Sequence, residues 1–140
     1  MDLLKTYIPF YVVDSVSDNP CVYYLQPVLA YPLLPRTGSQ EADVTTALNN
    51  LFSIKDKTIG RFSNPFSASG HTLVSIDMKD SPLMKITITG WPGRTENACT
   101  NHAMRDQIFN TIYSISYSFG INDVVIWQDD FLYDDYMIGG

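Results

Sequence analysis

Two runs of alternating residues near the middle of the chain constrain its fold most. In HTLVSIDM (residues 71–78), Thr72, Val74 and Ile76 alternate with Leu73, Ser75 and Asp77. In LMKITITGW (83–91), Met84, Ile86 and Ile88 face one way and Lys85, Thr87 and Thr89 the other. A period of two marks half-buried strands. Lys79-Asp80-Ser81-Pro82 between them has turn chemistry, so the pair reads as a β-hairpin.

That hairpin needs a cover, and the next segment supplies one. Met104, Ile108, Ile112, Ile115 and Phe119 are spaced four, four, three and four apart, a continuous helix stripe. The predicted helix spans about 96–119, with Thr95 or Asn97 as N-cap and Gly120 as its stop. INDVVIW (121–127) then reads as a strand. A shorter helix is predicted over 40–52, capped by Ser39, with Val44, Leu48, Leu51 and Phe52 on its apolar face. Residues 53–70 carry loop chemistry, with Ile59, Phe62 and Phe66 expected to pin the loop to the core.

The first 35 residues are rich in Tyr, Val, Leu and Pro. Residues 7–13 and 21–31 are read as strands or extended arms, separated by the turn signal Ser17-Asp18-Asn19-Pro20. Pro9, Pro27, Pro32 and Pro35 exclude a regular central strand, since each removes a ladder donor. The order predicts an α+β fold in a single domain over 1–140: an extended Pro-rich N-terminal segment (1–35), a hairpin–helix–strand core (71–127) and an acidic aromatic tail (128–140). The sheet is expected to be mostly antiparallel, packed by the one long helix. A length of 140 residues with 45% hydrophobic and 17% charged content fits one folded domain. No apolar run approaches the roughly 20 residues of a membrane helix. The first residues do not read as a signal peptide, so a soluble, non-exported protein is expected.

Charge is segregated. Residues 1–105 hold all nine Lys and Arg and nine of the Asp and Glu, so they balance. Residues 106–140 hold six Asp and no Lys or Arg, and so carry the whole net charge of −6. That distribution disfavours nucleic-acid binding, which wants a basic footprint. It suits docking on a basic partner. The acids concentrate in WQDDFLYDDYM (127–137) among aromatic residues, a composition found in protein interfaces. Trp127, Asp129, Asp130, Phe131, Tyr133, Asp134, Asp135 and Tyr136 are therefore the candidate partner-binding residues. The stretch lacks the Gly and terminal Glu of an EF-hand. Its other reading is an acidic edge strand that resists aggregation.

No catalytic, cofactor-binding or metal constellation emerges. His71 and His102 have no nearby Cys or second His, and phosphate-loop and Gly-x-Ser-x-Gly patterns are missing. Cys99 and His102, three apart near the start of the long helix, could form a nucleophilic pair, with a packed Cys beside a surface His as the plainer reading. Cys21 and Cys99 are expected to be free thiols packed as small apolar residues, a disulfide depending on distances the sequence does not give.

Residues 71–126 resemble the second half of tail-terminator or neck-type ring proteins of tailed bacteriophages. Ile86, Ile88, Gly90, Ala98, Ile108, Ile112, Gly120, Ile121 and Val125 carry that resemblance: an apolar strand ending in Gly, a spacer with Ala, a long amphipathic helix, then Gly-Ile and a last strand. Residues 47–66 are similar to a region of phage baseplate-wedge proteins, through Leu48, Leu51, Gly60, Arg61, Asn64 and Pro65, although the acidic residue usual between Gly and Arg is missing. The shared implication is a non-enzymatic virion component: a ring or collar subunit, homo-oligomeric, contacting other tail or neck proteins, assembled in the host cytoplasm, with no cofactor, small-molecule substrate or membrane. The rival reading is a small acidic inhibitor or immunity protein that docks its tail on a basic target.

Overall fold

In a computed structural model, the described residues are 3–15, 19, 21–30, 32–53, 58–59, 62–68, 70–80, 83–90, 97–116 and 123–133. Among them the elements run α1 (Leu3–Thr6), β1 (Pro9–Ser15), β2 (Tyr23–Leu29), α2 (Gln40–Ser53), β3 (Thr58–Ile59), β4 (Phe62–Ser63), a 3-10 turn (Pro65–Ala68), β5 (Thr72–Asp77), β6 (Leu83–Thr89), α3 (Ala98–Ser116), β7 (Asp123–Gln128) and β8 (Phe131–Leu132). The fold is α+β, as expected, but it contains two four-stranded sheets, ordered β2-β1-β4-β3 and β5-β6-β7-β8.

The two helices begin where side chains can cap them. Ser39 Oγ accepts the Ala42 amide (3.3 Å), and Asn97 Oδ1 accepts that of Thr100 (3.0 Å). Buried Asp43 accepts from the amide and hydroxyl of Thr37, fixing the approach to α2. The α2 and α3 stripes then meet: Val44, Leu48 and Leu51 share one core with Met104, Ile108, Ile112 and Ile115, all fully buried. Met84, Ile86 and Ile88 of β6 enter the same core from the second sheet, and Phe10 and Val12 of β1 from the first. The predicted helix end residues Phe119 and Gly120 lie outside the described residues.

Of the two readings of the N-terminal segment, strands or extended arms, the structure has strands. β1 and β2 pair antiparallel from Pro9↔Leu29 to Ser15↔Tyr23, and their inward side chains are core. Proline is tolerated because Pro9 is the first residue of β1 and Pro27 lies on the edge strand β2. β4 pairs only with Val13 and Asp14, so the side of β1 turned away from Tyr11's partner Pro27 meets no strand at Tyr11. There α3 takes a strand's place. Thr111 Oγ1 accepts the Tyr11 amide (3.1 Å), and Gln107 Nε2 donates to the Tyr11 carbonyl (2.9 Å). Gln107 also donates to Asn64 Oδ1 (3.1 Å), whose own amide donates to the Leu51 carbonyl (2.9 Å). Both Tyr11 backbone groups point away from β2, so the Pro27 nitrogen also points outward. It therefore removes a donor from the open edge of the sheet, blunting it against strand addition.

The hairpin β5–β6 forms as predicted, with one departure. A register shift between Leu73 and Ser75 leaves Val74 58% exposed, while Leu73 and Ile76 pack against the core. The alternation read along HTLVSIDM breaks because a bulge inserts one residue and flips the parity on either side of it. The other departure is that β7 pairs with β6 in parallel, Leu83↔Asp123 through Ile88↔Gln128, because α3 carries the chain back to the starting end of the sheet. The expected loop at 53–70 contains the short β3–β4 pair. Phe66 pins it as expected, but Phe62 is 38% exposed, and the Ile59 side chain lies outside the described residues.

Cys21 and Cys99 are not free thiols. They form a disulfide, with Cα atoms 4.9 Å apart, joining the entry to β2 with the first turn of α3. They stand 78 positions apart in the sequence, so no local pattern signalled the pairing. Tyr23 adds a second tie, its hydroxyl donating to Asp106 Oδ2 (2.8 Å). Burial, and then that hydrogen bond and the carboxylate's charge, push the phenol up to about 12, with Arg105 opposing. Arg36 fastens the opposite end, donating to the carbonyls of Leu4 (2.7 Å), Tyr7 (3.3 Å) and Ser114 (3.2 Å). A cation over the last carbonyls of α3 is also favourable to the helix dipole.

Candidate functional site

The described part of the acidic aromatic stretch, residues 127–133, forms a hairpin. Trp127 pairs with Leu132 and Gln128 with Phe131, leaving Asp129 and Asp130 as a two-residue turn. Asp129 takes a φ of +52°, a conformation that Asp tolerates better than most residues. Its amide donates to the Ile88 carbonyl (3.0 Å), and its Oδ1 accepts the Thr89 hydroxyl (2.6 Å). Asp129 is thus engaged in holding the turn to the end of β6. Asp130 is exposed.

The pairing sorts the remaining residues by face. Lys85↔Val125, Thr87↔Trp127 and Trp127↔Leu132 place Lys85, Thr87, Val125, Trp127 and Leu132 on one side of the second sheet. Lys85 Nζ stands over the Trp127 ring, 5.9 Å from its centroid. This side faces away from the core, since Met84, Ile86, Ile88, Ile126 and Gln128 are the buried alternates. Phe131 is opposite Gln128 at the rim and is 60% exposed. Leu132 and Phe131 are therefore large apolar side chains open to solvent beside a cation–aromatic pair.

The inner side of the same hairpin is closed. Tyr133 is 1% exposed, so its ring belongs to the core and is not available as a contact residue. It packs beside buried His71 (centroids 6.2 Å), whose ring also meets Phe66 (4.9 Å, edge-on) and Phe52 (5.5 Å). Burial lowers the His71 pKa to about 4, partly opposed by a hydrogen bond with the Gln128 side chain. Gln128 Nε2 donates to the Gly90 carbonyl (2.9 Å). Gly90 has a φ of +146°, and a Cβ there would lie 2.6 Å from the Gly70 carbonyl oxygen, so the chain entering β5 and the chain leaving β6 meet backbone to backbone.

The structure thus divides the predicted contact residues. Trp127 lies on the outer side, with Leu132 and Lys85 as members the sequence reading missed; Asp130 is exposed in the turn, and Phe131, opposite Gln128, is exposed on the other side. Asp129 shapes the turn, and Tyr133 is core. Asp134, Asp135 and Tyr136 lie outside the described residues. Leu132 was findable from strand parity once the two-residue turn was known; Lys85 needed the parallel register. Cys99 is spent in its bond to Cys21, so it is no thiolate for His102, which stands exposed three residues on. Among the described residues, no group of three or more His, Cys, Asp or Glu is placed to hold a metal ion. An open depression of about 500 Å³ beside β5, lined by Glu41, Ser75, Ile76, Asp77, Met78 and Lys79, contains none of the predicted contact residues. Comparison with protein-family models, curated proteins and solved structures gives no match.

Proposed function

We propose that this chain is a non-enzymatic structural subunit of a phage tail or neck, assembling with copies of itself into a ring or collar. The observation that supports this most is the outer side of β6–β7–β8. There exposed Leu132 stands beside half-buried Trp127 and Val125 and the Lys85 cation, while Phe131, 60% exposed, projects from the other side at the rim of the hairpin. Exposed contiguous apolar surface is characteristic of protein contact, and Trp and Phe are enriched in interface cores. The outermost strands of both sheets, by contrast, are poorly suited to strand addition. β2 carries Pro27, β5 carries the bulge at Val74, and β3 and β8 are two residues each. Assembly on this reading therefore runs through sheet faces.

The disulfide is compatible with a virion component, since such bonds persist on particles once they leave a reducing cytosol. The inhibitor alternative gains nothing from the hairpin, where Asp129 serves the turn and Tyr133 the core. Light scattering of the oxidised chain with negative-stain imaging tests the reading: a closed oligomer is expected, and Leu132→Glu should reduce it to folded monomers. A wild-type chain that stays monomeric at every concentration, with no ring formed beside tail tubes, overturns it.

A further inference from the structure

The two sulfurs of the disulfide sit in unlike places. Cys21 belongs to the turn before β2 and is exposed, whereas Cys99 is half-buried. Cys99 is the second residue of α3, a helix of 19 residues whose first turn is capped by Asn97. Free amides and the dipole at a helix start stabilise a thiolate. The direction of thiol–disulfide exchange depends on which sulfur can be reached and on how readily the other leaves as thiolate. Here access and leaving ability favour the same direction.

We propose that the Cys21–Cys99 disulfide is a thiol-exchange site of fixed polarity, taking a small thiol of the glutathione class at Cys21 and releasing Cys99. The small thiol's thiolate attacks Cys21 Sγ. A new S–S bond forms there, the bond to Cys99 breaks, and its electron pair leaves on Cys99. A second small thiol resolves the mixed disulfide. In sum, two small thiols give up two electrons and become one small disulfide, while the protein gains two thiols. The mechanical consequence is local. The entry to β2 loses its covalent tie to α3 and keeps the Tyr23–Asp106 hydrogen bond, while the apolar core shared by α2, α3 and β6 is untouched.

The test uses the oxidised full chain, exposed to reduced glutathione, quenched within seconds by N-ethylmaleimide and mapped by peptide mass spectrometry. Glutathione on Cys21 with maleimide on Cys99 should exceed the reverse pattern by about tenfold, as expected when one sulfur is both reached and left unequally. Equal labelling, or glutathione mainly on Cys99, overturns the polarity. Absence of any adduct while the chain stays folded overturns the site. Hydrogen exchange after full reduction should quicken across Tyr23–Leu29 and remain slow across Met84–Ile88. Unchanged protection in both segments overturns the loosening.

Discussion

The two sheets are held to the helices by different physics. The second sheet is held mainly by apolar burial, through Met84, Ile86, Ile88 and Ile126, reinforced at one corner by the His71–Gln128 cluster. The first sheet also buries Phe10 and Val12, but its distinctive fastenings are specific and distant in sequence: Thr111 and Gln107 on Tyr11, Tyr23 on Asp106, and Cys21 on Cys99. Burial is non-directional and follows from a periodic pattern. A hydrogen bond or disulfide needs two particular residues brought together, and its loss leaves a particular partner behind.

The sharpest way to break this contrast is to cut the longest tie. Replacing both cysteines by Ser should cost about 4 kcal/mol on the loop-closure account of a crosslink this distant. Denaturant melts under non-reducing conditions measure it, and a loss below about 1 kcal/mol would show that the first sheet does not depend on its covalent fastening. Ile86→Ala is the corresponding cut in the second sheet. It should cost about 3 kcal/mol, as deletion of a fully buried branched side chain does.

Acid and alkali should separate the regions. His71 titrates near 4 in the fold against 6.5 for the free side chain, so the unfolded chain binds its proton first. Stability should then fall as pH drops from about 6.5 to about 4, by about 3 kcal/mol in all, and His71→Phe should flatten that slope. Tyr23 works in the other direction. With its phenol raised to about 12, the tie to Asp106 is complete below pH 10 and weakens as pH rises above it. Ultraviolet titration of wild type minus that of Tyr23→Phe should show a phenol that ionises late.

Smaller effects refine the picture. Gln107→Ala strands the Tyr11 carbonyl and takes one of the two donors from Asn64 Oδ1, which keeps the Phe66 amide, and should cost about 2 kcal/mol, with hydrogen exchange rising in β1 before β6. Phe131→Ala, at an exposed rim, should change monomer stability by less than about 0.5 kcal/mol while weakening self-association. An equal loss in both measurements would mean that Phe131 is packing, not contact surface.

What could be read from the chain tracks this division. The stripe Met104–Ile108–Ile112–Ile115, the caps Ser39 and Asn97, and the inward set Met84, Ile86 and Ile88 follow from spacing, because local backbone geometry alone decides which side chains share a face. The bulge at Val74 was invisible, since an inserted residue is defined only against its partner strand. Of the candidate surface, half-buried Trp127 and exposed Phe131 were legible as aromatics in an acidic run. Tyr133, drawn from the same run, is core because it packs beside His71, whereas Phe131, two residues earlier on the same side, stays exposed.

The sequence by itself determined an α+β domain, its two longer helices, the central hairpin and the concentration of negative charge at the end of the chain. Only the tertiary structure decided that the N-terminal segment is a sheet, that Cys21 meets Cys99, and that Lys85 stands over Trp127. The reason is physical. Periodicity acts between neighbours along the chain, whereas these contacts join residues tens of positions apart, whose meeting depends on how the whole core closes.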